Sequence, residues 1–177
     1  MAARKNSRAS HLRLLVGTRK GAFVFTSDRR RRSWKADGPF FQGWEVHHLN
    51  YDRRSERLFA AISTTWWGND IQVSRDWGRR WQKASRGLNF SPKSGLSVNR
   101  IWNLTPGRAS EPGVLYAGVD PGALFRSENE GGEWYEVKSL TRHPTRERWQ
   151  PGAGGLCLHT ILLDPLHSDR LYVGISA

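Results

Sequence analysis

The sequence predicts an all-β fold made of repeated four-stranded units, and three observations predict it. Short, apolar, β-prone segments recur as "LLVGT" (14–18), "LFAAI" (58–62), "LYAGV" (115–119) and "LYVGI" (171–175), their starts 44, 57 and 56 residues apart. An eight-residue pattern, "SRDWGRRW" (74–81), returns as "SENEGGEW" (127–134). Helical periodicity is not evident, while nine Trp and seven Phe supply the large side chains of a core.

Each recurring segment reads as a buried strand followed by a tight turn and a second strand: "GAFVFTS" (21–27), "DIQVS" (70–74) and "GALFRS" (122–127). The eight-residue pattern, or a remnant of it, comes next. In it Ser and Asp side chains accept backbone N–H groups and fix a turn. Gly78 and Gly131 supply a backbone angle that other residues disfavour. A further strand opens on the tryptophan: "SWKA" (33–36), "WQKA" (81–84) and "WYEV" (134–137). Ahead of the later units lie "EVHHLNY" (45–51), "VNRIWNL" (98–104) and "LCLHTILL" (156–163), the innermost strands. Four strands per unit of roughly 50 residues read as the blades of a β-propeller. The expected layout is a basic, disordered tail over residues 1–11, then blades at about 12–37, 45–85 and 98–138, with a partial fourth at 156–177. The fold class is thus a partial propeller of about three four-stranded blades and the start of a fourth.

The bulk numbers exclude several classes. The apolar run near the N-terminus is interrupted by Arg13 and Gly17 and is far short of the roughly 20 residues of a membrane span. One cysteine, Cys157, excludes an internal disulfide framework and a cysteine-based zinc site. A soluble, cytoplasmic protein is the expectation. The net charge is +12, but 11 of the 28 Lys and Arg fall in residues 1–35 beside a single acid, Asp28. The basicity therefore belongs to the tail and to the run Arg29–Arg32. Such a run would attract phosphates without reading sequence; the expected reading is a solvated tail and a solvated turn, since no helix-turn-helix, zinc-finger or base-stacking motif accompanies it.

The residues of the eight-residue pattern carry a resemblance. Ser74, Asp76, Gly78 and Trp81 fit S-x-D-x-G-x-x-W, and Ser127, Asn129, Gly131 and Trp134 fit it with Asn for Asp. In the first unit only Ser27 and Trp34 keep their places, with Arg29 and Arg31 at the Asp and Gly positions. The pattern resembles the Asp-box, or BNR, repeat of sialidases and sortilin-type receptors. With "LLVGTRKGAFVF", "VLYAGVDPGALFRS" and "WQPGAGGLCLHT", residues 12–177 resemble bacterial BNR-like proteins labelled glycosyl hydrolase or exo-alpha-sialidase-like. The resemblance implies a propeller and a glycoside-processing activity. A closed propeller needs at least four blades. The ring is therefore expected to be completed either by a missing C-terminal half, this chain being a fragment, or by self-association of two chains.

In such a ring the pinned turns occupy one face and the remaining loops the other, where the site is expected. A glycosidase needs two carboxylates flanking the bond; Asp70 and Asp120 are the candidates for acid and base, with Glu45 at a strand start. The family resemblance implies instead, for a sialidase, three arginines on the substrate carboxylate, of which Arg19 and Arg100 could be two. The Arg-Ile-Pro motif that announces the first arginine has no counterpart here. Trp66, Trp67, Trp149 and Gln150 in the loops, with His159, complete the candidate ligand surface. His47 and His159 in innermost strands point at the channel or into the sheet according to parity, and with Asp120 they offer ordinary metal-ligand chemistry, against the commoner role of a hydrogen-bonded core histidine. No cofactor or metal is expected. Two functions remain open: a glycoside hydrolase, or a non-catalytic propeller that binds or assembles a glycan or protein partner.

Overall fold

A computed structural model describes residues 11–64 and 68–176. Among the described residues, thirteen strands form four antiparallel sheets in chain order. Sheet one pairs β1 (Leu12–Thr18), β2 (Gly21–Ser27) and β3 (Lys35–Phe40); sheet two pairs β4 (Glu45–Asp52), β5 (Arg57–Thr64), β6 (Gly68–Ser74) and β7 (Gln82–Lys83). Sheet three pairs β8 (Arg100–Pro106), β9 (Leu115–Asp120), β10 (Ala123–Ser127) and β11 (Tyr135–Glu136); sheet four pairs β12 (Cys157–Leu163) with β13 (Leu171–Ser176). This is the all-β, partial-propeller class that the sequence predicts. β7 and β11 are only two residues long, so the tryptophan of the eight-residue pattern precedes its strand instead of opening it. One helical turn, Lys138–Thr141, interrupts the loop after sheet three and packs Leu140, partly buried, against the cluster between sheets three and four. No helix among the described residues is long and apolar enough to cross a membrane.

The sheets stack in sequence through three apolar clusters. Ala22, Val46, Ala60 and Ile62, with Phe40 and Trp81 against them, join sheets one and two. Phe59, Ile71, Ile101, Phe125 and Trp134 are part of the cluster joining sheets two and three. Tyr116, Leu124, Leu158 and Ile161 join sheets three and four. Each tryptophan of the repeated turn faces the preceding sheet. Trp134 is 1% exposed and donates through Nε1 to the Gly131 carbonyl at 3.1 Å, whereas Trp81 is only half-buried against Phe40 and Phe41. Trp34, with no preceding sheet among the described residues, is 40% exposed. The outward faces of sheets one and four are likewise uncovered at Leu14, Leu162 and Tyr172.

The two full turns superpose bond for bond. Ser74 Oγ accepts the Gly78 N–H at 2.8 Å and donates to Asp76 Oδ1 at 2.9 Å, and that carboxylate accepts the Arg80 N–H at 2.9 Å. Ser127 Oγ accepts the Gly131 N–H at 3.0 Å and donates to Asn129 Oδ1 at 3.1 Å, which accepts the Glu133 N–H at 2.8 Å. Asn serves because the position needs only an acceptor. Gly78 and Gly131 stand at φ +94° and +83°, the left-handed region that the pattern anticipates. In sheet one the turn is built differently: Asp28 accepts the Arg30 and Arg31 N–H groups, and Ser27 Oγ reaches the Ser33 carbonyl.

Small residues set how closely the sheets approach. A methyl on Gly17 would overlap the Val46 carbonyl oxygen, and one on Gly118 would overlap that of Leu158. Both carbonyls lie in the innermost strand of the next sheet, one residue before a bulge. We therefore expect Gly118→Ala to lower stability by roughly 1–3 kcal/mol through overpacking, measured by urea unfolding. Gly154→Ala, where nothing lies within 4 Å, serves as the near-neutral control. Ser127→Ala strands the buried Gly131 N–H and should cost about 1–3 kcal/mol in the same assay.

Candidate functional site

Strand register puts one set of connections at the same end of the first three sheets. Thr18 pairs with Gly21, Glu45 with Ser63, and Arg100 with Asp120, so the loops bearing Arg19 and Asp120 open on the end opposite the pinned turns. At that end the innermost strands share a feature. The inner pair of sheets two, three and four is bulged between Val46 and His48, Ile101 and Asn103, and Leu158 and Thr160. The extra residues, His47, Trp102 and His159, are therefore equivalent in the repeat. A bulge breaks strict alternation and re-aims its side chain, which settles the parity that the sequence leaves open.

His47 and Trp102 lie with ring centroids 5.0 Å apart and line an open cleft of about 470 Å3 with Thr18, Arg19, Glu45, Arg100 and Gly154. Glu45 bridges the mouth: its Oε1 is 3.7 Å from Arg19 Nε, and its Oε2 is 3.4 Å from His47 Nε2. The second approach is close enough for electrostatic attraction but not aligned for a hydrogen bond, leaving His47 Nε2 buried without a hydrogen-bond partner. Burial lowers the His47 pKa, Glu45 pulls it up, and Arg100 and Arg19 add to the lowering. The cleft therefore holds a neutral imidazole and two guanidinium groups against one carboxylate. It favours an anion.

The two proposed catalytic carboxylates share no partner. Asp70 lies inside β6 instead of at its start; its carboxylate accepts from the Ile71 N–H at 2.8 Å and Gln72 Nε2 at 3.0 Å, with Lys83 Nζ at 3.2 Å. Asp120 closes β9 beside Asn99, Arg100 and Gly155. Burial raises both carboxyl pKa values, against the pull of Lys83 on Asp70 and of Asn99 and Arg100 on Asp120.

Among the ligand candidates, Arg19 and Arg100 come together in the cleft. Trp149 packs within its own loop, stacked on His143 at 5.9 Å with its Nε1 donating to Thr145 Oγ1 at 3.0 Å; Gln150 beside it is exposed. His159 is exposed, its Nδ1 2.9 Å from Thr160 Oγ1. Trp66 and Trp67 lie outside the described residues. No group of three or more His, Cys, Asp or Glu that could hold a metal occurs among the described residues. Trp102 was missed from sequence. Aligning "EVHHL", "RIWNL" and "CLHTI" places it in one column with His47 and His159, a signal that was there to read.

Behind the cleft, His48 Nδ1 accepts the Leu104 N–H at 2.8 Å, and burial lowers its pKa as well. Both His47 and His48 thus titrate below 6.5 in the folded chain. Below that pH the unfolded chain takes up protons that the folded chain refuses, so stability present above pH 6.5 is lost as the pH falls toward the folded values. We expect the urea midpoint to drop just below pH 6.5 and the drop to shrink in His48→Asn, which keeps an acceptor for Leu104 but does not titrate.

No family model matches the chain, and no curated protein matches it. Among solved structures it is similar to YCF48 bound to D1 peptide, with a TM-score of 0.59 over 96% of this chain at 16% sequence identity. The chain spans 46% of that chain, a little under half its length. YCF48 is a β-propeller, and the likeness supports a partial propeller here.

Proposed function

We propose that this chain is part of a non-catalytic binding propeller whose loop-end cleft docks a protein partner through a carboxylate of that partner. The observation that carries the reading is the convergence of Arg19 and Arg100 on one cleft floored by the His47–Trp102 pair. Guanidinium groups match a carboxylate in geometry as well as charge, and the aromatic floor suits the apolar part of a peptide. The similarity to a propeller solved with a peptide bound supports a peptide over a free sugar. The turn sequences resemble Asp-box repeats, which occur in binding and catalytic propellers alike, and fold alone assigns no chemistry.

A glycoside hydrolase is the second reading, and the raised carboxyl pKa of Asp120 beside Arg100 favours it, as a proton donor needs. Against it stands Asp70, engaged with Gln72 and Lys83 and sharing no partner with Asp120. Calorimetric titration with short peptides, acidic and neutral, separates the two. We expect saturable binding of acidic peptides, weakened about tenfold or more by Arg100→Gln, and no turnover of an aryl glycoside panel. Turnover abolished by Asp120→Asn would replace this reading with the enzymatic one.

A further inference from the structure

The end of the sheets opposite the cleft carries a second surface. The turn between β2 and β3 presents Arg30, Arg31 and Arg32, and the equivalent turn between β6 and β7 presents Arg75, Arg79 and Arg80, all exposed. Arg53, on the β4–β5 turn, is exposed at the same end. None of these seven forms an ion pair among the described residues.

Glu56 on the β4–β5 turn is exposed and offsets Arg53, whereas the three aspartates among them are engaged by the backbone. Asp28 accepts the Arg30 and Arg31 N–H groups at 2.9 and 3.1 Å, Asp76 accepts that of Arg80, and Asp52 is held by the side chain and N–H of Arg54. These carboxylates fix the turns that hold the arginines outward. On sheet three the equivalent turn reverses sign, with Glu128, Glu130 and Glu133. The positive field is therefore confined to sheets one and two.

We infer that this face binds the phosphate backbone of duplex nucleic acid without reading sequence. Stacked sheets lie about 10 Å apart and a major groove is about 12 Å wide, so the two arginine turns are spaced to engage phosphates on either side of a groove. Arginine suits the task, since its planar fork meets phosphate oxygens in pairs. A bilayer surface fits less well. Interfacial binding needs protruding apolar side chains; Trp34 beside the first turn is 40% exposed, but Trp77 on the second is covered by Arg13, 3.8 Å from its ring, and stacked on Tyr51 at 4.2 Å. With no side chain reaching a base edge implied, the contacts position without specifying.

The test is fluorescence anisotropy of the full chain with a labelled duplex of about 20 base pairs over a salt series, where log affinity falls with log salt by about 0.9 per phosphate engaged. The expected slope is steeper than about −3. Arg30→Ser/Arg31→Asn/Arg32→Ser, with Asn chosen for the left-handed φ of +55° at that position, should bind at least about tenfold more weakly with a slope shallower by about 2. Arg75→Ser/Arg79→Ser, on the neighbouring turn, should do the same independently, circular dichroism confirming that both variants fold. Arg100→Gln, at the opposite end, should leave duplex binding unchanged, so failure here and failure of peptide docking are read separately. No binding at about 50 mM salt, a slope untouched by either arginine variant, or tighter binding to anionic vesicles than to duplex would each overturn the inference.

Discussion

The structure depends on how closely one sheet can lie against the next near the axis. On β1 and β9 a glycine faces a carbonyl oxygen of the neighbouring innermost strand: Gly17 against Val46, and Gly118 against Leu158. In sheet two the same column of the repeat is Ala61, fully buried between sheets two and three. A larger side chain in this column would force the sheets apart, opening the apolar clusters outboard of it and separating the strands that wall the cleft. The carbonyls in question immediately precede the bulges that deliver His47 and His159. One steric requirement, smallness, therefore sets both sheet spacing and the placement of cleft side chains.

Much of this was legible. The four recurring apolar segments are legible as buried strands, and Ser, Asp and Gly at fixed offsets name a turn whose hydrogen bonds follow from their side-chain chemistry. What the sequence hid was register. A bulge depends on which partner residue each strand residue meets across the ladder, and β-propensity is silent on that. So His47 and His159 were left pointing either way and Trp102 went unremarked. Asp70 is expected to open its strand, yet the strand begins two residues earlier, at Gly68, in a stretch whose polar Asn69 reads as part of the connection. Asn69 is instead tied to Ser63 and to the Val98 carbonyl.

The candidate site was legible in its parts and not in its grouping. Arg19 and Arg100 were named from residue type, yet their meeting requires the β1–β2 turn and the start of β8 to reach one space across sheet two. Trp149 was named for the same reason and turned inward, since within a short loop an indole finds His143, Thr145 and Arg146 before it finds anything beyond. Local contacts captured it. The same logic holds for Asp70, whose neighbours Gln72 and Lys83 occupy the carboxylate that a reaction would need.

Asn129 in place of Asp76 ties the turn chemistry to the electrostatics of the whole face. Both positions require an oxygen that accepts the N–H four residues on, and either residue supplies it. They differ in charge and in company. Asp76 sits among Arg75, Arg79 and Arg80, and the Arg80 N–H bond, with the Ser74 bond and the Arg80 charge behind it, holds its carboxyl below the usual range despite some desolvation. Asn129 sits among Glu128, Glu130 and Glu133. A carboxylate there would be a fourth negative charge on one short turn, with the Arg57–Glu130 and Arg126–Glu128 pairs already engaging nearby cations. The neutral amide keeps the hydrogen bond and omits the repulsion. The departure from the repeated pattern is thus what the pattern's own physics asks for on an acidic turn, and it preserves the sign change that divides this face.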